Sequence, residues 1–532
     1  MVKDILKKLG RSFLIVAFLF TQSTVSLAQT ANLNDAEPGT TKSKPTKRAK
    51  SKVIPSEQAI AAEIAFYSGD FAKASSLLET LSQNKDKDFA LWRNQLGSIY
   101  LAAEDYKQAL SSFLDAHYLM NDIAAFSKLE SRAVALTGRE REKAYKGDPY
   151  ERVYNSLYVA LLLHQEKDYD NSLAAVKNGL LCDSDVEGGL YKSDATLLYL
   201  LGARLEALRN NLSVSDEYLQ KATEAYILSH PVNRGVVSDE QGKITLLGQK
   251  QKELEKLTPK KNASGSKKDK DRVRKPPKKS KKVLVLEDEI QKLDIAITTL
   301  NNMRTENNKQ ISTEILKQVV NPQNNVLFFV ELGRGPVKYP IGQYGHIAIF
   351  TFKPARARNV TITVDKNNVF DKSKTLFNND TFYQAKTRGG RTMDGILKGK
   401  AEFKQTTAEI SRQLSNVSQQ MSNQANQMQQ QAAYGGTGGA AAAGAAYAAA
   451  GIALISLAFA IGSAMANPAA DVRHWSLLPG EIQVVPMKIS PGSHNIRLQV
   501  FDANNNEIPE LSKEFDANIA EKDNIIIKRI VE

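Results

Sequence analysis

Small and aromatic residues recur at helical spacing around residue 100, and this pattern limits the fold more than any other feature of the chain. Gly97, Ala109 and Ala116 lie where two antiparallel helices would cross, because only small side chains let helix backbones approach closely. Tyr100 and Phe113 are placed to fill the space beside that crossing. The pattern therefore predicts a pair of packed helices.

A second copy of the pattern precedes the first. Gly69 and Ala74 belong to it, and its turn lies 35 residues before the corresponding turn at Glu104. This offset is close to the period of about 34 residues that is typical of tetratricopeptide repeats. Less regular copies follow at 154–180 and 198–226. The sequence predicts a tetratricopeptide-like helical domain over 55–257, with a non-repeating helical bundle as the alternative.

The first residues have the layout of a secretory signal. Basic residues occur from Lys3 to Arg11, an apolar stretch runs from Ser12 to Phe20, and Ser26-Leu27-Ala28 is a small-x-small cleavage site. We predict a signal peptide over 1–28 and an exported protein of the bacterial periplasm or the outer-membrane-associated cell envelope. An uncleaved anchor is the alternative, although the apolar stretch is shorter than the roughly 20 residues that span a bilayer.

The net charge of +13 is confined to short segments. Residues 42–52 contribute +6 and residues 260–282 contribute +10, whereas the remainder beyond the signal is slightly acidic. Such composition predicts a disordered basic spacer over 29–54 and a Lys-rich disordered linker over 258–282. Because no folded face carries the charge, a nucleic-acid partner is disfavoured. Contact of these segments with anionic lipids or an acidic partner is the alternative to a plain spacer.

Tyrosines cluster around a turn near residue 148. Aromatic residues and arginine dominate the energetics of protein interfaces, so this cluster is a candidate surface for a protein partner. The alternative is a helix cap, because Asp148 followed by Pro149 is typical of a helix start, with the aromatics in the core. The candidate partner-binding residues are Tyr145, Tyr150, Glu151 and Arg152.

The rear half begins with a predicted amphipathic helix over 283–320, whose apolar seam must pack on another element. Period-two patterns and short apolar runs then predict strands at 326–331, 346–352 and 359–364, and again at 481–487, 495–501 and 524–531. We predict a β-rich domain, an antiparallel sheet or a sandwich, in two parts at 321–392 and 468–532. The overall class is α+β. The apolar seam of the predicted helix over 283–320 consists of Leu286, Ile290, Leu293, Ile297 and Leu300.

Two unusual segments separate the two parts of this β-rich domain. Residues 393–434 predict a polar helix with a short heptad seam, which either self-associates or packs on its own domain. Residues 435–467 are rich in Gly and Ala and predict a membrane-associated helix or, alternatively, a buried helix or linker. Close helix packing in a membrane would use small residues. The candidate positions are Gly435, Gly439, Gly444, Gly451 and Gly462.

Three stretches of sequence resemble a known group of proteins. Residues 147–153 read GDPYERV, residues 329–338 read FVELGRGPVK and residues 471–479 read DVRHWSLLP. They resemble an uncharacterised family of exported bacterial proteins, often lipoproteins. The resemblance implies a tetratricopeptide-like front half, a β-rich rear half with a glycine-rich stretch, and an envelope location. It carries no established active site, and the chain lacks the lipobox Cys.

Motifs for chemistry are absent from the sequence. No two of the six histidines have the i, i+3 or i, i+4 spacing of a helical metal site, and neither Gly-x-Ser-x-Gly nor His-Glu-x-x-His occurs. His474 lies in a polar and aromatic cluster with Trp475, for which packing at a strand entry is the simpler explanation. We therefore predict no catalytic, metal-binding or cofactor-binding residues and no enzyme.

Three functions are compatible with this sequence. The leading hypothesis is an envelope scaffold whose concave repeat surface binds a partner polypeptide and whose Gly/Ala-rich segment associates with a membrane. The alternative is a structural component that assembles into homo-oligomers. A wall- or glycan-processing hydrolase is the third hypothesis and the one with least support.

Overall fold

A computed structural model of the protein describes residues 57–83, 85–121, 144–184, 194–258, 280–341, 347–366, 368–369, 377–388, 419, 423 and 471–532. These residues belong to one compact unit. The predicted signal peptide, basic spacer and Gly/Ala-rich segment lie outside the described residues, as do most of the Lys-rich linker and, except for Gln419 and Asn423, the polar heptad helix.

The front half consists of helices that pair with their neighbours. Each helix packs on the one before it, and the two members of a pair run antiparallel because only a short turn joins them. The helices are α1 (Glu57–Tyr67), α2 (Phe71–Ser82), α3 (Phe89–Ala102), α4 (Tyr106–Asn121), α5 (Pro149–Gln165), α6 (Tyr169–Asp183), α7 (Thr196–Leu208) and α8 (Leu212–Ser229).

The turns within the four pairs share one backbone geometry. A residue with positive φ ends each first helix: Gly69, Glu104, Lys167 and Asn210, with φ between 60° and 81°. The next residue is Asp or Asn, and its backbone N–H donates at 2.9 Å to a carbonyl five residues earlier in every pair. This bond satisfies a carbonyl that the helix end leaves free. The four pairs that the structure describes therefore share one helix–turn–helix geometry.

The predicted packing residues lie at the helix crossings. A Cβ atom built on Gly97 would be only 2.4 Å from the Phe113 ring, so the helix backbone and this ring touch directly. Ala74, Ala109 and Ala116 are fully buried. Tyr100 is half-buried, and its hydroxyl donates to the carboxylate of Glu79 on α2.

Two long helices follow the four pairs. Helix α9 (Pro231–Leu257) ends where the predicted helical domain ends, and α10 (Lys281–Asn308) packs antiparallel on it. Ion pairs join Lys250 to Glu289 and Arg304 to Glu240. The apolar seam of α10 thus packs on α9 as the spacing requires.

The predicted single helix over 283–320 is corrected to two helices. Helix α10 ends at Asn308, and a separate short helix, α11 (Glu314–Val320), follows. The reason is a change of environment: the α10 seam is largely half-buried, whereas Ile315, Leu316 and Val319 on α11 are fully buried against the front helices. One straight helix cannot serve both surfaces.

The described residues of the rear half form two four-stranded sheets and a hairpin. The first sheet has the order β10-β1-β7-β6 and the second the order β5-β4-β8-β9, while β2 and β3 form the hairpin; a helix, α12 (Thr381–Arg388), follows β6. The strands are β1 (Val326–Leu332), β2 (Val337–Ile341), β3 (Ile347–Thr351), β4 (Asn359–Val364), β5 (Asn368–Val369), β6 (Phe377–Asp380), β7 (Glu481–Met487), β8 (Gly492–Phe501), β9 (Lys513–Ile519) and β10 (Asn524–Arg529).

Strands from both predicted parts of the β-rich domain share each sheet. Strand β1 pairs with β7 and β10, and β4 pairs with β8, so the segment between residues 389 and 470 is an insertion between strands of the same sheets. The pairing is antiparallel except for β1 with β10, which is parallel. The first sheet is therefore mixed, which corrects the expectation of purely antiparallel pairing.

The described helices and sheets form three layers, with the first sheet in the middle. Leu327 and Phe329 on β1 face the helices, whereas Phe328 and Val330 face the second sheet. Every residue of β1 is buried, which explains why its sequence reads as a nearly continuous apolar run instead of alternating. The middle sheet packs on the helices with one face and on the outer sheet with the other, so the rear half lies directly against the front half.

Candidate functional site

The inner surface of the helical array is covered by the chain itself. Trp475 packs against the rings of Phe113 and Tyr158, which stack on each other at 5.0 Å; its centroid distances to them are 5.6 and 5.8 Å, and it is 0% exposed. Its indole N–H donates to Ser98 Oγ on α3 at 2.9 Å. Apolar residues of β1, β7 and β10 complete the same core. The predicted open concave groove is therefore corrected: the middle sheet fills it, because both surfaces are apolar and each covers the other.

Polar contacts fix the helices to the edge strand β10. The Tyr106 hydroxyl donates to the Ile527 carbonyl at 3.2 Å, and the Gln165 amide donates to the Ile525 carbonyl at 2.8 Å. An ion pair of 2.7 Å joins Lys528 to Glu104. These bonds satisfy backbone groups on the open side of β10, which would otherwise be an unpaired sheet edge.

The candidate partner-binding residues lie at this internal junction. Tyr145, Tyr150 and Glu151 are 3%, 0% and 0% exposed, and only Arg152 is partly exposed. Tyr150 packs edge-on against Phe350 of the hairpin. The prediction of a ligand-facing patch is thus corrected, because the patch packs on the rear half of the same chain. The alternative reading, a helix cap with core aromatics, describes what is found.

Glu151 is the central group of the junction. Its carboxylate accepts from the backbone N–H of Asp148 and from that of Trp475, both at 2.6 Å. Burial, followed by the charge of Asp148, raises the pKa of Glu151 to about 7. Lys338 forms a 2.7 Å ion pair with Asp148, and both side chains are almost fully buried. One carboxylate therefore caps α5 and holds the chain entering β7.

Arg473 is held by two carboxylates. It pairs with Asp471 and, at 2.6 Å, with Asp88 at the start of α3, while its guanidinium lies over the Tyr145 ring. The His474 ring forms a hydrogen bond to the Val472 carbonyl at 2.9 Å, and burial lowers its pKa. The three sequence stretches that carry the family resemblance thus meet in one place, where they join the two halves.

A second buried ionic network joins helix α7 to the turn before β10. Arg204 and Asp523 form a bidentate pair, and His164 lies 2.8 Å from the same carboxylate. The guanidinium also donates to the carbonyls of Val319 and Asn324 at 2.6 Å. Burial alone would raise the pKa of Asp523, but the hydrogen bonds and charges of Arg204 and His164 lower it.

The outer end of the helical array has an apolar face that no described residue covers. On α1, Ile60 is 42% exposed and Ile64 is 65% exposed. They line a groove of about 380 Å³ together with Glu63, Tyr67 and Arg334. The Arg334 guanidinium stacks on the Tyr67 ring at 3.8 Å, which fixes one wall of the groove. This surface, here called the α1 groove, is the candidate functional site.

Two further observations bear on the site. Within the described ranges, no group of three or more His, Cys, Asp and Glu residues is arranged to hold a metal ion. None of the helices that the structure describes is long and apolar enough to cross a bilayer. The five glycines of the predicted membrane helix lie outside those helices.

Comparison with known proteins found no match to a family model, to a curated protein or to a solved structure. The function is therefore argued from the chain's own surfaces.

Proposed function

We propose that the protein is a scaffold of the bacterial cell envelope that binds an amphipathic helix of a partner polypeptide in the α1 groove. The observation that carries the proposal is the pair of exposed isoleucines, Ile60 and Ile64, on the outer face of α1. They are four residues apart, so they lie on one helix face and form a stripe that a second helix can cover.

The repeat geometry supports a helix as the occupant. Each successive helix of the array packs on the previous one, and we infer that the four pairs are tetratricopeptide-like repeats, given their common turn and the 35-residue offset of the first two. In a stacked array the outer face of the first helix is where another helix would continue the stack. Glu63 and Arg334 border the groove and provide one charge of each sign for orienting the bound helix.

The cellular location is proposed from sequence. The secretory signal at 1–28 supports export to the periplasm, and the Gly/Ala-rich segment at 435–467 supports association with a membrane. Fractionation of the mature chain with and without residues 435–466 tests the second point. Loss of the membrane-bound fraction only in the deletion variant is expected, and equal soluble behaviour of both chains would contradict it.

Site-specific photo-crosslinking tests the docking proposal. A benzophenone side chain placed at Ile64 should crosslink to another protein in cells, at a segment with apolar residues spaced as on one helix face. Crosslinks confined to residues 29–54 of the same chain, or to a second copy, would contradict the proposal, because the groove would then be filled by the protein itself.

A binding measurement follows with a synthetic peptide of the crosslinked segment. Ile64→Glu should weaken binding at least tenfold, because it places a charge in the buried centre of the interface. Ile295→Glu is the matched control, since Ile295 is 60% exposed on the distant helix α10. Equal affinities of the two variants would refute the α1 groove as the docking site.

A further inference from the structure

A polar cavity of about 270 Å³ lies far along the chain from the α1 groove, and neither the helix packing nor the proposed docking uses it. Its walls come from the start of α7, the junction of α8 with α9, strand β6 with helix α12, and the first residue of β7. This volume is near the lower end of the range for small-molecule sites, about 300–1,000 Å³. The cavity therefore suits a small polar molecule.

One wall of the cavity is aromatic. The rings of Tyr226 and Phe377 lie 5.9 Å apart, and the Tyr383 ring is covered by the Arg234 guanidinium at 4.4 Å. Arg234 is also paired with Asp380 at 2.6 Å. Because a carboxylate already neutralises this cation, Arg234 is part of the wall and does not give the cavity a net positive charge.

Four side-chain hydroxyls and amides of the lining already donate within the protein, so the lining offers mainly acceptors; these donors are Thr196, Ser229, Asn378 and Asn379. Asp194 is buried, and Glu481 contributes a carboxylate that accepts from the side-chain amides of Asn378 at 2.9 Å and Gln483 at 2.7 Å. Gln384 is 7% exposed; its amide nitrogen donates to Asn379, whereas its Oε1 has no hydrogen-bond partner among the described residues.

The histidine of the lining adds no positive charge. The His230 ring accepts from the backbone N–H of Val232 at 3.4 Å, and burial lowers its pKa, which favours the neutral ring. The cavity thus combines carboxylates and a buried amide oxygen that lacks a donor with an aromatic wall. A ligand that fits this set must bring several donors and a positive charge.

We infer that the cavity binds a small molecule with a primary ammonium group. An ammonium carries three donors and no acceptor, which matches the excess of acceptors. The ring faces of Tyr226 and Phe377 attract a cation further. In this arrangement the Gln384 Oε1 and the Glu481 carboxylate accept from the ammonium, and Asp194 supplies a second negative charge.

Calorimetric titration of the full mature chain tests the inference with matched pairs of probes. Glucosamine is compared with glucose, and ethanolamine with ethylene glycol, so that each pair differs in the ammonium group. At least one amine should bind about tenfold or more tightly than its neutral analogue, as expected for hydrogen bonds to charged groups. Tighter binding of glucosamine would indicate an amino sugar as the ligand, and tighter binding of ethanolamine would indicate a head-group amine. If neither amine binds more tightly than its analogue, the inference is overturned.

Variants locate the binding to the cavity. Glu481→Gln should weaken amine binding at least fivefold, because it removes the charge but keeps the shape. Gln384→Leu provides a second variant with the same expected direction, should the first fail to fold. Glu306→Gln, on the exposed end of α10, is the control and should bind as the wild type does. Unchanged affinity in both cavity variants would overturn the assignment, and Ile64→Glu should leave amine binding intact.

Discussion

The bidentate pair of Arg204 and Asp523 provides the sharpest test of how the two halves are joined. We consider Asp523→Asn, which keeps the shape of the side chain but removes its charge. Both partners are buried, at 0% and 3% exposure, so the guanidinium would remain in the interior without its counter-charge. His164 would also lose a charged partner at 2.8 Å.

The expected loss of stability follows from the burial of the pair. Removing one partner of a buried ion pair costs about 3–5 kcal/mol, because the other charge stays desolvated. Arg204→Met should cost a similar amount, since it also leaves the Val319 and Asn324 carbonyls without their donor. The two changes share one interaction, so the double variant should be less destabilised than the sum of the singles by about 1–3 kcal/mol.

Urea unfolding followed by tryptophan fluorescence is the appropriate assay. The chain has two tryptophans, and Trp475 lies at the junction of helices and sheet. Acid titration gives an independent signature. The native pKa of Asp523 is lower than its ordinary value of 3.8, so the stability it provides is present above pH 3.8 and lost as the pH falls through the native value. The wild type and Asp523→Asn should therefore converge in acid.

Glu510→Gln is the control, because it breaks an exposed pair with Arg356 and should not shift the unfolding midpoint measurably. A loss below about 1 kcal/mol for Asp523→Asn, or a gap from wild type that widens below pH 3.8, would refute the reasoning. In either case the network could not be what holds α7 to the sheet.

Three core substitutions and one exposed control are each measured by urea unfolding. Gly97→Ala should lower the free energy of unfolding by about 1–3 kcal/mol, because its Cβ would meet the Phe113 ring. Gly235→Ala has no atom within 4 Å of its Cβ and should raise that free energy by about 0.5–1 kcal/mol. Equal effects of the two changes would contradict the close contact at Gly97. The native pKa of Glu151 is about 7, above its ordinary value of 4.5. The free energy of unfolding of the wild type, relative to that of Glu151→Gln, should therefore fall by roughly 3 kcal/mol from pH 4.5 to 7. A difference between the two proteins that does not change with pH would contradict the raised pKa. Trp475→Ala should cost about 3–5 kcal/mol, and a smaller loss would mean that the indole does not anchor the junction.

Local patterns in the sequence predicted the elements of this fold. Gly97 and Phe113 indicated a close helix contact because the spacing of small and apolar residues along α3 and along α4 determines which face of each helix packs on the other. Strands β1, β4 and β8 followed from apolar runs and alternation. Four strands were missed: β2, β5, β6 and β9. Strand β5 has only two residues, β6 is a short polar edge strand, and β9 alternates only weakly between exposed and half-buried residues.

Contacts between distant segments could not be predicted in the same way. The patch around Tyr150 could be interpreted from sequence either as a ligand-facing surface or as a helix cap with core aromatics, because nothing nearby in the sequence reveals that Phe350 covers it. Arg204 did give a signal, because it is a charged residue within the largely apolar helix LLYLLGARLEAL, whose other charge is Glu206, and a charge buried in such a helix needs a partner. Its partner Asp523 lies in a polar turn whose sequence gives no sign of burial, so the pair could be identified only from the three-dimensional structure. The polar cavity was missed for the same reason.

The parallel pairing of β10 with β1 imposes an order on how this molecule can be made. Asn524 pairs with Val326, so the sheet that covers the helices is incomplete until a segment translated long after them has emerged from the ribosome. Until then the apolar side of four helix pairs faces water, and such surfaces aggregate or recruit chaperones. The front half therefore stays prone to misassembly until β10 has been synthesised, however fast its helices form.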